Sequence, residues 1–97
     1  MYEIIYSRGF KRSYKKLKHS GQFDRERLRV ALQCLRSGMS LPFSYRDHSL
    51  EGEYAGCRES HLKGDTLLMY RRNEDKKTVT LVDIGSHSAL FGWYLTN

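Results

Sequence analysis

The stretch "TLLMYRRNEDKKTVTLVDIG", residues 66–85, decides the fold because it contains two strand-like runs joined by a short polar segment. "TLLMYRR" and "KTVTLVDIG" are rich in apolar, β-branched and aromatic residues. "NEDK" between them has the polarity and the length of a hairpin turn. The stretch therefore predicts two consecutive strands of one sheet.

A third strand is predicted just upstream, within "EYAGCRESHLK" at residues 53–63. Gly64 and Asp65 form a turn signal before the hairpin, so the three strands are expected to follow one another as a meander. Pro42 excludes regular helix before the meander, and "HSALFGWYLTN" after it is expected to be a short final segment.

The first forty residues have a different periodicity. "YEIIY" at residues 2–6 predicts a short strand, and the side-chain oxygen of Ser7 is suited to capping a helix directly after it. Phe10, Tyr14 and Leu17 recur on one face of that helix, and lysine and arginine residues fill the remainder. A basic amphipathic helix is therefore expected to end at "HSG".

A second amphipathic helix is predicted from about Asp24 to Ser37, where Gly38 supplies a stop. The order β-α-α-β-β-β indicates an α+β fold, with the N-terminal strand and a two-helix hairpin packed on an antiparallel β-sheet. Both helices are expected on one face of the sheet, so that the opposite face is free to bind a partner. Ninety-seven residues suit one domain, residues 1–97.

The charge balance favours an acidic partner. Seventeen Lys and Arg residues against eleven Asp and Glu give a net charge of +6, which attracts nucleic acid, a ribosomal surface or an acidic protein. No apolar run approaches the roughly 20 residues that span a bilayer, and the N-terminus is not a signal peptide. Cys34 and Cys57 lie far apart and outside any CxxC motif. A cytoplasmic protein without membrane contact is expected.

Three of the four histidines, His48, His61 and His87, lie near the ends of the predicted strands, where a meander can gather them. With acidic neighbours Glu59 and Asp65, such histidines suit proton transfer near neutral pH. In a basic protein this chemistry points to cleavage of RNA, whose 2′-hydroxyl is the nucleophile and which needs no metal or cofactor. Solvated surface histidines remain the plainer alternative, and a zinc site is less favoured because no histidine has a close helical partner.

The segment "YRDHSLEGEYAGCRESHLKGDTLLMYRRNEDKKTVTLVDIGSHSALFG", residues 45–92, resembles the second half of the YafQ toxins. These toxins are a branch of the RelE superfamily of bacterial mRNA interferases from type II toxin-antitoxin systems. The shared pattern is D-H-x-L-x-G at 47–52, R-[DE]-x-H at 58–61, Asp65, an apolar strand ending in Tyr70, and G-[ST]-H-[SA]-x-L-F at 85–91. The first forty residues match only in their strand and basic helix-hairpin pattern.

The resemblance implies a RelE-like microbial ribonuclease fold and a ribosome-associated, metal-independent endoribonuclease that inhibits translation. It implies that His87 is the general acid, that His48 or His61 assists removal of the 2′-hydroxyl proton, and that Asp65 orients or charges a histidine. Phe91 would offer a surface on which a base stacks. Glu59 stands where some members have Asp, and Trp93–Asn97 extends beyond the usual end of the family. The candidates for phosphate contact are Arg58, Lys63, Arg71 and Arg72.

The partners that the resemblance and the charge imply are a cognate acidic antitoxin, the ribosome and mRNA. Operator DNA would be contacted only through the antitoxin complex. Two alternatives stay open: a non-catalytic toxin of the RelE/ParE fold that binds a protein target, and a basic RNA-binding module that does not cleave. The complete histidine and aspartate set favours the nuclease, because a pure binder has no need of it.

Overall fold

A five-stranded sheet with strand order β1-β5-β4-β3-β2 organises the molecule. The computed structural model describes residues 1–21 and 23–95, and for residues 92–95 the backbone alone. The elements are β1 (Glu3–Tyr6), α1 (Arg8–Leu17), α2 (Arg25–Arg36), β2 (His48–Ser49), β3 (Arg58–His61), β4 (Thr66–Asn73), β5 (Thr78–Ser86) and α3 (His87–Leu95). The predicted α+β class is confirmed. The two-residue β2 was not predicted, because it is too short to produce a pattern.

The predicted meander is confirmed as β3, β4 and β5, which pair antiparallel in chain order. β4 and β5 form the longest pairing, from Asn73 opposite Thr78 at the turn to Thr66 opposite Ser86 at the far end. Residues 67–70 of β4 are all buried, although successive side chains in a strand point to opposite faces. Both faces of the sheet are therefore covered along this part of β4.

The sheet is mixed rather than wholly antiparallel, which corrects one detail of the prediction. β1 pairs parallel with β5, in a register that places Ile4 opposite Val79. A parallel neighbour requires a long crossover, and the two helices that follow β1 provide it by carrying the chain to the far edge of the sheet. The meander then runs back across the sheet and ends beside β1.

α1 and α2 begin and end close to the predicted positions and cover one face of the sheet. Ser7 caps α1 by accepting a hydrogen bond from the backbone N–H of Phe10 at 3.0 Å, and Asp24 caps α2 through Arg27 N–H at 3.0 Å. The helices contribute Phe10, Leu28, Ala31 and Leu35 to a buried core shared with Leu68, Tyr70, Val79, Leu81 and Ile84 of the sheet. We call this side of the sheet the helix face.

The opposite side, which we call the histidine face, is covered in part by α3. A Cβ added at Gly85 would lie 3.6 Å from the Cβ of Ala89 and 3.9 Å from a methyl carbon of Leu90. Gly85 is opposite Leu67, which is opposite His61, so all three point to the same side. α3 thus packs on the side that carries His61, and the final segment that the sequence left without structure is a helix.

Ser86 caps α3 by accepting a hydrogen bond from the backbone N–H of Ala89 at 3.0 Å. The extension Trp93–Asn97 lies outside the described side chains. No helix in the described ranges is long and apolar enough to cross a membrane.

Candidate active site

β2 and β3 bring two of the predicted histidines together around a buried carboxylate. His48 is directly opposite Glu59 in the register, and His61 follows Glu59 by two residues on the same face. The two imidazole ring centroids are 6.2 Å apart. Nε2 of His61 lies 3.5 Å from Oε1 of Glu59. Two groups able to carry protons therefore share one small patch of the histidine face.

The Glu59 side chain is almost enclosed, with 7% of it exposed, whereas 31% of the His61 side chain is exposed. A carboxylate taken out of water is costly unless a partner compensates its charge, and His61 is the partner on this face. The buried Glu59 carboxylate can therefore orient the His61 ring, and the exposed part of the His61 ring is what a substrate would contact.

His48 is held by its own backbone. Nδ1 of His48 lies 2.9 Å from the carbonyl oxygen of Arg46, and Arg46 adopts a left-handed conformation with φ 51°. Residues other than glycine rarely adopt that backbone conformation. Here it turns the carbonyl of Arg46 back toward the ring of His48. Because a carbonyl oxygen can only accept, Nδ1 carries the proton in this contact. Nε2 of neutral His48 is then the acceptor, on a residue that is exposed.

A second cluster forms where β5 leads into α3. The ring of His87, the first residue of α3, lies with its centroid 5.2 Å from that of Phe91, one helical turn later. Tyr54, in the 3-10 turn Gly52–Tyr54 that follows β2, packs edge-on against Phe91 with ring centroids 5.3 Å apart. His87 is exposed and Phe91 is half-buried. Since α3 packs on the histidine face, this cluster and the His48–Glu59–His61 patch share one side of the sheet.

The predicted phosphate-contact arginines are divided between the two faces. Arg71 lies on the histidine face, where one guanidinium nitrogen is 3.3 Å from Sγ of buried Cys57. Its neighbour Arg72 lies on the helix face, opposite the core residue Val79, with its guanidinium 5.1 Å from the ring centroid of Tyr2. Arg58 also lies on the helix face, and its Nε and Nη2 each lie 2.6 Å from Oδ1 of Asp47. Arg71 alone of these three shares a face with the histidines.

Lys63 and Asp65 lie in the turn between β3 and β4 and are exposed there. Both line a groove of about 810 Å³ at the end of the sheet, together with Phe23, Arg25 and Ser86. Ser86 is adjacent to His87, so the groove begins beside the second cluster. Asp65 is therefore positioned near the His87 end of the site, and its predicted role of orienting a histidine stays a prediction.

Two residues that shape this site, Tyr54 and Arg46, carry no functional signal in the sequence. Tyr54 lies in a stretch whose pattern predicts a strand, and a left-handed arginine such as Arg46 has no compositional signature. Asp47 and Tyr70 were noted only as parts of a family pattern. The hydroxyl of Tyr70 donates a hydrogen bond to Oδ2 of Asp47, directly behind His48. Among the described residues, no group of three or more His, Cys, Asp or Glu side chains is placed to hold a metal ion.

Comparison with known proteins identifies relatives over nearly the full chain. Residues 2–92 match the family model described as the bacterial toxin of type II toxin-antitoxin system, YafQ. The mRNA interferase toxin YafQ of Escherichia coli K12 is 32% identical over 92 residues, covering 94% of this chain and 92% of that protein.

Two solved structures are similar to this chain in both fold and sequence. A metal-bound toxin from Helicobacter pylori superimposes with a TM-score of 0.84 at 37% identity, covering 94% of this chain and 100% of that one. The toxin in the E. coli DinJ-YafQ complex gives a TM-score of 0.80 at 30% identity, covering 95% of this chain and 100% of that one.

Proposed function

The chain belongs to the YafQ family of bacterial toxins of type II toxin-antitoxin systems, and on that premise we propose that it is an endoribonuclease that cleaves mRNA. The observation that carries the proposal is the gathering of His48, Glu59 and His61 on the same side of the sheet as His87 and Phe91. Residues 1–97 act as one domain, since a single buried cluster joins both helices to the sheet.

The reaction uses the RNA's own nucleophile. Nε2 of His48 takes the proton of the 2′-hydroxyl, the 2′-oxygen forms a bond to the adjacent phosphorus, and the bond from phosphorus to the 5′-oxygen breaks. His87 gives its proton to the leaving 5′-oxygen. The products are a 2′,3′-cyclic phosphate and a 5′-hydroxyl end. His48 is preferred to His61 as the base because the Arg46 carbonyl leaves its Nε2 as an acceptor.

The remaining side chains orient the RNA and balance charge. His61, backed by Glu59, is close enough to His48 to contact the same phosphate, and Arg71 supplies a fixed positive charge on that face. Phe91 presents a ring on which an unstacked base can lie, which holds the sugar in position for attack. Lys63 contacts the RNA strand where it leaves past His87, and Asp65 beside it orients or charges a histidine.

No step of this mechanism passes through a metal. The H. pylori relative is described as metal-bound, but the described side chains of this chain do not provide a set of three ligands. The RNA hydroxyl replaces the metal-activated water of a metal-dependent nuclease.

The partners follow from the family and from the charge. The E. coli relative forms a complex with DinJ, and this chain has a corresponding antitoxin that is acidic, because a net charge of +6 favours it. The toxin acts in the cytoplasm on mRNA bound to ribosomes, and it contacts operator DNA only through the antitoxin complex.

Mapping of 5′ ends on mRNA incubated with the purified toxin and translating ribosomes tests the proposal. New ends that carry a 5′-hydroxyl are expected, and they should disappear when antitoxin is added. Intact mRNA that is nonetheless bound tightly would favour an RNA-binding module. Intact mRNA without binding would favour a toxin that acts on a protein target.

A further inference from the structure

The part of the fold behind His48 contains a group of polar side chains that the mechanism does not use. Asp47, the residue before His48, points to the helix face, because successive residues in a strand alternate. There its carboxylate meets Arg58 of β3 and Tyr70 of β4, which are opposite each other in the register. We call Asp47, Arg58 and Tyr70 the polar clamp.

Each oxygen of the Asp47 carboxylate has a partner of its own. Nε and Nη2 of Arg58 both lie 2.6 Å from Oδ1, and the hydroxyl of Tyr70 donates to Oδ2. Hydrogen bonds to an ionised carboxylate are about twice as strong as neutral ones, and two different donors fix its plane. The orientation of Asp47 is therefore set by two neighbouring strands.

One donor of the polar clamp, the Tyr70 hydroxyl, belongs to a buried side chain that the core packing holds in place. Tyr70 is 3% exposed and packs within the helix-face core, whereas the side chain of Asp47 is 15% exposed. Burial raises the pKa of the Tyr70 hydroxyl, and the hydrogen bond to Asp47 raises it further, so the hydroxyl remains a donor at neutral pH.

Asp47 is followed directly by His48, the proposed catalytic base, which points to the opposite face of the sheet. β2 has only two residues and two register pairs with β3, so few backbone hydrogen bonds between strands hold it in place. A strand this short is a weak support for a residue that must hold its ring within about 0.5 Å of a productive position. The clamp supplies what the short strand lacks, one residue away from His48.

We propose that Asp47, Arg58 and Tyr70 are positioning residues for the cleavage reaction, acting across the sheet to fix the backbone of β2 and hence the imidazole of His48. Arg58 then works from the helix face and does not contact the RNA. This inference rests on the proposed function for its kinetic consequences, while its structural consequence can be observed without any substrate.

The test uses Tyr70→Phe, which removes one hydroxyl and keeps the ring, with Tyr45→Phe as the matched control. Tyr45 is also buried on the helix face, at 4% exposure, and its hydroxyl donates to the carbonyl of Arg27 at 3.2 Å. Both variants lose one hydrogen bond of a buried tyrosine. Tyr70→Phe should lower kcat for mRNA cleavage by about 10-fold with KM unchanged, because a misplaced base affects the chemical step. Tyr45→Phe should change neither.

A double-mutant cycle with His48→Ala separates positioning from general damage. If Tyr70 acts through His48, adding Tyr70→Phe to His48→Ala should cost no further activity. A loss that persists in full in the His48→Ala background would overturn the proposal.

Arg58→Lys should likewise lower kcat at constant KM, because lysine lacks the paired nitrogens. A raised, salt-dependent KM for Arg58→Lys would instead make Arg58 an RNA contact and contradict the clamp.

The substrate-free measurement is the NMR signal of the His48 ring. Tyr70→Phe should shift or broaden that resonance while the His87 ring signal stays in place, and Tyr45→Phe should leave both unchanged. An unaltered His48 signal in Tyr70→Phe would overturn the proposal. A wild-type protein that never cuts mRNA would contradict the proposed function alone, and the NMR result would still decide the clamp.

Discussion

The two faces of the sheet carry different kinds of residue, although they are built from the same strands. On the helix face, Leu68, Val79 and Ile84 are buried against α1 and α2. On the histidine face, Leu67 and Met69 are just as buried, but they lie beside the ionisable Glu59 and His61. Because side chains alternate along each strand, a residue that packs against the helices is followed by one that lies on the side of the histidines. Neighbouring positions should respond differently to substitution.

The largest difference is expected at His87 on the histidine face. Loss of a general acid costs about 10² to 10⁴ in rate, so His87→Ala should lower cleavage by that factor with little change in melting temperature. His19→Ala is the internal control and should leave cleavage intact. Cleavage by His87→Ala at the wild-type rate, measured on ribosome-bound mRNA, would show that another group protonates the leaving oxygen.

Phe91 tests whether an aromatic ring on the histidine face holds the substrate. Phe91→Leu keeps apolar bulk beside Tyr54 and removes the ring, and loss of one stacked base costs about 1–3 kcal/mol, or roughly 5- to 150-fold in kcat/KM. Phe43→Leu is the matched control, because Phe43 is 97% exposed on the helix-face side. Equal losses in the two variants would remove the special role of Phe91.

Arg71 and Arg72 offer the most direct comparison of the faces, since they are adjacent in β4. Arg71→Ala should lower kcat/KM by about 10-fold, because it removes a cation from the face on which the phosphate would lie. Arg72→Ala should leave kcat/KM within about two-fold and affect mainly the packing against Tyr2. A larger kinetic loss for Arg72→Ala than for Arg71→Ala would mean that the RNA lies on the helix face and not on the histidine face.

The smallest expected effect concerns stability at alkaline pH. The pKa of Tyr70 is raised above its ordinary value of 10.0 by burial and by the bond to Asp47. Below pH 10 both folded and unfolded chains keep the proton, so the contribution of Tyr70 is complete there. Above pH 10 only the folded chain keeps it, and stability falls by about 1.4 kcal/mol per pH unit until the folded pKa is reached.

Urea unfolding of wild type and Tyr70→Phe between pH 8 and pH 11 measures this effect. The free-energy difference between the two proteins should shrink above pH 10, whereas the other tyrosines and the lysines titrate equally in both and cancel. A difference that stays constant to pH 11 would mean that Tyr70 is not held as described.

The sequence was sufficient for the parts of the fold that depend on local pattern. The β4–β5 hairpin and the capped helices α1 and α2 follow from periodicity and from turn and capping residues. The place of both helices on one face follows from the order of the elements. The parallel pairing of β1 depends on how distant segments meet, and α3 contains Gly92, a poor helix former. Neither feature has a local signal in the sequence.

The site shows the same limit. His48 and His61 were expected to converge, and their strands bring them together, but the face that each arginine occupies depends on register. Arg72 differs from Arg71 by one position in β4, and Arg58 of β3 lies on the helix face because it is opposite Tyr70. The left-handed Arg46 is likewise decided by tertiary structure rather than by residue type.

The mechanism requires that the RNA supply its own nucleophile, and a modified mRNA shows whether it does. An mRNA with a single 2′-deoxy substitution at the cleavage position removes the attacking hydroxyl while leaving the ribosome and its magnesium untouched. This mRNA should survive at the substituted position under conditions in which the unmodified mRNA is cut. Cleavage there at an unchanged rate would require an external nucleophile and would contradict the assignment of His48 as the base that activates the 2′-hydroxyl.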